Sequence, residues 1–139
     1  MLKLTNLADY AVVLVCQISD GEQDLYNAVQ LSKDTGIPLP TVSKIMGALT
    51  QQGIVTSIRG LKGGYRLTHS TDQITLADII EALDGPIELT NCAIEGEEHC
   101  SIGYHCKVRG RWNSVNFAIR NTLAGISVNQ FIEFPTDHA

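Results

Sequence analysis

Residues 41–67, TVSKIMGALTQQGIVTSIRGLKGGYRL, join a helical pattern to a hairpin pattern and so decide the fold. Apolar residues recur at i, i+3, i+4 and i+7, which predicts an amphipathic helix from about Thr41 to Gln52. Those apolar residues are Val42, Ile45, Met46 and Leu49. A β-prone run at 53–58, a basic glycine-rich turn at 59–64 and a returning strand at 65–68 follow without a gap. A helix followed by such a hairpin is typical of a winged helix.

A shorter helix precedes this stretch, at 27–35. Asn27 and Gln30 have the spacing of a capping box, and Gly36 has the place of a left-handed helix end. Residues 37–40, IPLP, then form a tight connection, because proline fixes φ and restricts the residue before it. Another helix is expected at 5–19, capped by Thr5. We therefore predict a mainly α fold, a winged helix-turn-helix with a small two-stranded wing.

Helical patterns continue beyond the wing. Thr75 and Asp78 predict a capped helix at 75–83, and a last long helix is expected from about Lys107 to Gly125. One face of the long helix is apolar and is predicted to form a dimer interface; it carries Trp112, Val115, Ile119 and Leu123. We accordingly divide the chain into a winged-helix DNA-binding domain at 1–86, a cysteine-rich loop at 87–109, and a dimerisation helix with its tail at 110–139.

Charge is distributed unevenly along the chain. The formal net charge is −5 at pH 7, yet residues 1–70 carry six Lys/Arg and five Asp/Glu, against four and ten in residues 71–139. No acidic residue occurs between Thr35 and Thr71, where Lys44, Arg59, Lys62 and Arg66 all fall. A cationic window in an acidic protein predicts a local surface for phosphates.

Three of the four cysteines fall in residues 91–111, NCAIEGEEHCSIGYHCKVRGR, which we call the cysteine segment. They are Cys92, Cys100 and Cys106, and His99 and His105 each precede a cysteine. Thiolates bind iron and zinc, so a metal site is favoured over a loop with incidental thiols. Three thiols without a C-x2-C pair suit an iron–sulfur cluster better than a zinc knuckle. The fourth cysteine, at position 16, lies in an apolar run and is expected to be a buried small hydrophobe.

Several classes of protein are disfavoured. The chain has no run of about 18 apolar residues, so we expect no membrane span. Its start, MLKLTNLADY, lacks the layout of a secretory signal, which favours the cytoplasm, where thiols stay reduced. The sequence contains no catalytic Ser/His/Asp set and no phosphate loop between a strand and a helix, so we do not expect an enzyme.

The chain resembles the Rrf2 family of bacterial transcription regulators over nearly its whole length. The matching features are LTNLADYAV, PTVSKIMGAL, the wing RGLKGGYRL, ITLADIIEALDGP and the cysteine segment. The start MLKLTNLADYA and the phrase DGPIELTNC carry a finer similarity to the branch that regulates the SUF iron–sulfur assembly operon. This resemblance implies a homodimer, an iron–sulfur cluster on Cys92, Cys100 and Cys106, and DNA affinity that depends on the cluster. The branch implies a repressor of iron–sulfur assembly genes.

Two departures from the family pattern bear on the cluster. Seven residues separate the first two of these cysteines where the family often has five, and Arg109 stands where one branch has a ligating histidine. Arginine cannot lose its proton to bind iron, so the fourth ligand stays open. In the nitric-oxide-sensing branch a carboxylate from the first helix of the other subunit serves. Asp9 matches that place, and His105 and His99 are the alternatives. A [2Fe–2S] cluster is slightly favoured over [4Fe–4S].

The winged helix predicts how double-stranded DNA is bound. The start of the third helix should enter the major groove, and the wing should reach the neighbouring minor groove. We expect Thr41, Ser43 and Lys44 to contact bases or phosphates, and Arg59 to enter the minor groove. Lys62 and Arg66 are expected to contact phosphates, and Gly60 to let the backbone approach. A dimer predicts a pseudo-palindromic operator.

Three other interpretations stay open. A nitric-oxide or redox-sensing repressor would use the same scaffold. Structural Zn²⁺ would accept three cysteines and a histidine, and a colourless zinc protein would favour this reading. A winged-helix protein that binds other proteins, rather than DNA, fits the overall acidity. The acid-free basic window argues against that adaptor.

Overall fold

The computed structural model describes residues 1–90 and 100–137. In these ranges the chain is mainly helical, with one two-stranded antiparallel sheet. No helix in either range is long and apolar enough to cross a lipid bilayer. The elements are α1 (Asn6–Asp20), α2 (Ala28–Thr35), α3 (Leu39–Gln51), β1 (Val55–Ile58), β2 (Gly64–Leu67), α4 (Leu76–Asp84), α5 (Arg111–Ala124) and α6 (Val128–Glu133). The predicted fold class is confirmed.

The first two helices begin at the residues that the sequence indicates. The Thr5 hydroxyl accepts a hydrogen bond from the backbone N–H of Ala8 at 3.1 Å and caps α1. Asn27 caps α2 in the same way, accepting from Gln30 N–H at 2.8 Å. The expected reciprocal bond of a capping box is replaced, because the Gln30 side chain donates to the Gln23 side-chain oxygen at 2.8 Å.

Helix α3 begins two residues earlier than predicted. Its first residue is Leu39, its N-cap is Pro38, and Pro40 lies in the first turn. Proline is tolerated there because the first N–H groups of a helix have no partner within the helix. The connection from α2 is therefore only residues 36–38, and Gly36 takes it out of α2 with a left-handed φ of 77°. The helix-turn-helix is tighter than the sequence suggested.

Backbone hydrogen bonds attach the wing to the residue just before α2. β1 and β2 pair from Val55↔Leu67 to Ile58↔Gly64. Tyr26, just before α2, adds to the outer edge of β2: its N–H donates to Tyr65 O at 3.0 Å, and Tyr65 N–H donates to Tyr26 O at 2.8 Å. A Cβ at Gly64 would lie 2.8 Å from the Tyr26 carbonyl, so glycine is required for this approach.

Helix α5 begins later than predicted. The expected start near Lys107 is wrong, because residues 107–110 form a turn and α5 starts at Arg111. Gly110 has a left-handed φ of 78°, which residues other than glycine rarely adopt and which separates the turn from the helix. The end at Gly125 is confirmed. So is the predicted capping box of α4, in which the Thr75 and Asp78 side chains bind each other's backbone N–H.

The core is formed by the inner faces of α1, α3 and α4, and the chain's last helix closes it. Val128 of α6 is fully buried in this core. Its N–H donates to Ile74 O at 2.8 Å, and Leu76 N–H donates to Ile126 O at 3.0 Å. The tail of the predicted dimerisation segment therefore packs on the winged helix of its own chain. The division at residues 86 and 109 stays a prediction.

The burial of Val128 predicts that the tail contributes to global stability. Val128→Ala should lower the free energy of unfolding by about 2 kcal/mol, because two methyl groups leave a packed site and a cavity remains. Val29→Ala is the control, since Val29 is 51% exposed on α2. Urea unfolding followed by circular dichroism measures both. Equal midpoints for the two variants would contradict a shared core.

Candidate nucleic-acid interface and cysteine site

Helix α3 has one buried apolar face. The four residues of the predicted apolar stripe are fully buried, namely Val42, Ile45, Met46 and Leu49, whereas Leu39 in the first turn is 40% exposed. Ser43 and Lys44 are exposed on the opposite side, whereas Thr41 is half-buried. The polar surface at the start of α3 therefore includes all three predicted DNA-contacting residues, with Ser43 and Lys44 the most accessible.

The wing presents its cations on a tight tip. Gly63 N–H donates to Gly60 O at 3.0 Å, and a Cβ on Gly63 would overlap the Ile58 carbonyl oxygen. The predicted DNA-contacting residues of the wing are all exposed: Arg59, Gly60, Lys62 and Arg66. Leu61 at the tip is also fully exposed, a feature that charge counting passed over. The tip offers an apolar side chain between two cations.

The cations of the acid-free window have no carboxylate partners in the described parts of the chain. The ion pair in those parts of the chain joins Arg120 of α5 to Glu81 of α4 at 2.7 Å, outside the acid-free window. Lys44, Arg59, Lys62 and Arg66 are not part of this ion pair. Because no carboxylate of residues 1–90 or 100–137 would have to be displaced, phosphates can bind these side chains directly.

The free wing cation at position 62 predicts a change in the salt dependence of DNA binding. Lys62→Ala should weaken binding to a mixed-sequence duplex and reduce the slope of log K against log [salt] by about one unit, because one fewer counterion is released. Fluorescence anisotropy over a series of salt concentrations measures the slope. Lys3→Ala, which removes an exposed cation outside the window, is the control. An unchanged slope in Lys62→Ala would mean that Lys62 contacts no phosphate.

Two of the three clustered cysteines lie in the described residues, on a compact turn before α5. Cys100 is exposed and Cys106 is half-buried, and both are free thiols. The Cys100 carbonyl accepts from Gly103 N–H at 3.0 Å, and a short 3₁₀ helix at Gly103–His105 leads to Cys106. The predicted ligands Cys92 and His99 lie outside the described residues. Accessible free thiols on an ordered turn fit a soft metal or an iron–sulfur cluster.

The predicted fourth ligands are placed differently. His105 is exposed between the two cysteines, and Asp9 is exposed in the first turn of α1. Among the described residues, no three His, Cys, Asp or Glu side chains lie together as a metal site. Asp9 therefore does not join Cys100 and Cys106 as a metal site within one chain.

The fourth cysteine differs in environment from the other two. Cys16 is half-buried and packs against the core. Burial raises the pKa of the Cys16 thiol, and the nearby Asp20 carboxylate raises it further. Both effects favour the protonated, less reactive form of the thiol. This environment supports the expectation that Cys16 is a small hydrophobe.

The raised pKa predicts selective alkylation of the metal-free, reduced protein. Iodoacetamide reacts with thiolates, so Cys16 should react more slowly than the exposed Cys100 at neutral pH. Because its folded-state pKa is raised, the rate at Cys16 should keep rising above the pH at which an ordinary cysteine is fully ionised. Peptide mass spectrometry measures both rates. Equal rates in the folded protein would contradict the burial of Cys16, and urea-unfolded protein is the control.

The apolar stripe of α5 is only partly free for a second subunit. Trp112 and Val115 are 40% and 44% exposed. Ile119 is half-buried in a groove with α4 and the N-terminal residues, and Leu123 packs against the core of its own chain. Asn116 lies on the same face and binds the backbone of residues 87–89. A polar residue inside an apolar stripe was the sequence signal for this contact, and pattern reading missed it.

Comparisons with known proteins agree with this architecture. The Rrf2 family model, described as an iron-dependent transcriptional regulator, matches residues 4–133. The HTH-type transcriptional regulator IscR of Aliivibrio salmonicida is 30% identical over 132 residues, which are 94% of this chain and 77% of that protein. A protein of known structure from Listeria innocua has a TM-score of 0.75 at 28% identity, over 97% of this chain and 89% of the other. CymR, the global cysteine regulator of B. subtilis, has a TM-score of 0.73 at 23% identity, over 98% and 100%.

The match to the family model spans the helix-turn-helix, the wing, the cysteine segment and α5 together. The family and the IscR relative are DNA-binding transcriptional regulators, which confirms that the chain is not an enzyme. The CymR structure, at its low identity, confirms the fold alone. The chain belongs to the Rrf2 family of transcriptional regulators.

Proposed function

We propose that the protein is a cytoplasmic, homodimeric repressor of iron–sulfur assembly genes of the SUF type, and that its DNA binding depends on an iron–sulfur cluster. The observation that carries this proposal is the pair of free thiols, Cys100 and Cys106, on an ordered turn beside α5. They belong to a chain whose family is described as iron-dependent. A regulator that binds iron through accessible thiols can respond to iron supply or oxidation.

Cys92, Cys100 and Cys106 would hold the cluster, with a [2Fe–2S] form slightly favoured over [4Fe–4S]. Asp9 of the partner subunit, His105 or His99 would complete the ligand set. When bound, the cluster supplies a redox-active group whose potential and lability depend on these ligands. An imidazole as fourth ligand would make the cluster less anionic than four thiolates do, whereas a carboxylate would keep the charge and replace sulfur with oxygen. The chain's own residues supply the turn geometry that presents the thiols.

DNA recognition would use the two exposed surfaces already described. Ser43 and Lys44, with Thr41 beside them, would lie in the major groove. The hydroxyl groups can form hydrogen bonds with several different bases, whereas the lysine ammonium group would bind guanine or phosphate. Arg59 would enter the minor groove, where narrow A·T tracts concentrate negative potential. Lys62 and Arg66 would bind phosphates. Two such DNA-binding surfaces in one dimer predict a pseudo-palindromic operator whose half-sites are a whole number of helical turns apart.

The exposed part of α5 would supply the dimer contact. Trp112 and Val115 project from the first two turns of α5, next to the cysteine turn. Ile119 and Leu123, already partly covered within their own chain, would extend this contact at its edge. Dimerisation would thus use the end of α5 that adjoins the metal site.

The proposal predicts that Cys100→Ala abolishes cluster binding and changes operator affinity. Protein purified without oxygen should be brown and contain iron, and Cys100→Ala should be colourless and iron-poor. Its affinity for operators selected from a random-sequence duplex pool should fall by about tenfold, a typical coupling between two ligand sites. Visible spectra, iron analysis and anisotropy measure these quantities. Because Cys100 is exposed, its loss should leave the stability of the metal-free protein unchanged.

Cys16→Ala is the matched control, since it also removes one thiol but should keep iron and operator affinity. Wild-type protein that is iron-poor and binds its operator as tightly as Cys100→Ala would overturn the proposal. Colourless protein with stoichiometric zinc would favour the structural-zinc reading. Chromosomal binding sites upstream of nitric-oxide or redox-response genes would favour that sensor over the SUF regulator.

A further inference from the structure

The side chain of Asn116 makes two hydrogen bonds to one short stretch of backbone. Its Oδ1 accepts from Leu89 N–H at 3.0 Å, and its Nδ2 donates to Ile87 O at 2.7 Å, both in a partly buried setting. The amide thus supplies one acceptor and one donor to backbone groups that are two residues apart in the chain. One side chain thereby fixes three residues of backbone.

This contact lies close in the chain to the cysteine segment. Residues 87–89 lead from the end of α4 towards the first clustered cysteine, Cys92, and Asn116 lies in the second turn of α5. α5 itself begins shortly after Cys106. The two ends of the cysteine segment are therefore attached to the same helix, one by the Asn116 amide and the other by the chain.

A second contact holds the backbone at the C-terminal end of α4. The Thr5 hydroxyl, which caps α1, donates to the Asp84 carboxylate, with distances of 2.8 and 3.0 Å to its two oxygens. Asp84 is the last residue of α4. The backbone that leaves α4 is thus held against α1 at residue 84 and against α5 at residues 87–89. Along the chain, the residues bound by Asn116 are nearer to Cys92 than Asp84 is.

We propose that Asn116 is a positioning residue for the metal site: it holds residues 87–89, which precede Cys92 in the chain, against the helix that follows Cys106. This inference rests on the proposed function. A loop whose ends are fixed loses less conformational freedom when its ligands gather round a metal, so the metal binds more tightly. Asparagine suits the task because the site needs one acceptor and one donor on a short side chain.

The test uses Co²⁺ as the probe, titrated anaerobically into the reduced full-length protein, with thiolate-to-cobalt absorption as the readout. Asn116→Ala should raise the Kd for Co²⁺ by about tenfold, within the range that outer contacts of metal ligands contribute. Asn116→Asp, which keeps the acceptor for Leu89 and repels the Ile87 carbonyl, should give an intermediate Kd. Asn113→Ala is the control, since it removes an exposed asparagine from the same helix.

Hydrogen exchange at the Leu89 amide is a second, metal-free readout. The amide should exchange about tenfold faster in Asn116→Ala than in wild type, while Asn116→Asp and Asn113→Ala should retain its protection. Unchanged Co²⁺ affinity in Asn116→Ala, with wild type binding Co²⁺ normally, would overturn the inference and leave the proposed function standing. Wild type that binds neither Co²⁺ nor iron would sink the proposed function and, with it, the role assigned to Asn116.

Discussion

The burial of the apolar face of α3 determines which residues of this helix face solvent. Val42, Ile45, Met46 and Leu49 are all fully buried, so the rotation of α3 about its axis is fixed. Turning the helix would expose several of these side chains, at a cost of about 1.5–3 kcal/mol for each. Ser43 and Lys44 must therefore face solvent, whatever DNA is present. The proposed DNA-binding surface is the polar face of a helix whose orientation is fixed by the core.

Local chemistry explains most of what could be read from the sequence. Thr5, Asn27 and Thr75 each cap a helix as their position indicated, because a cap depends on residues within one turn. The errors occurred where longer-range or permissive features won. Pro38 and Pro40 read as a connection, although a helix tolerates proline in its first turn. The start of α5 was misplaced because Gly110 lies inside a continuous pattern of helix formers.

The candidate site was less predictable than the fold, for a physical reason. Ligand type follows from cysteine chemistry, so Cys100 and Cys106 could be named from sequence, but which side chains meet them depends on tertiary and quaternary contacts. Asp9 illustrates this, since it does not meet both cysteines within one chain. The contact of Asn116 with residues 87 and 89 spans 29 and 27 positions, and no local pattern encodes such a pairing.

Helix α5 connects these features because its one apolar face serves different contacts along its length. Towards its C-terminus, Leu123 packs on the core and Ile119 closes a groove against α4. In its middle, Asn116 binds the backbone of residues 87–89, which precede the cysteine segment. Near its N-terminus, Trp112 and Val115 stay exposed beside the cysteine turn. Since an α-helix is stiff over this length, a change at the cysteines that tilts α5 must alter the exposed pair as well. In the proposed dimer, the same rigidity would carry that change to the spacing of the two winged-helix domains.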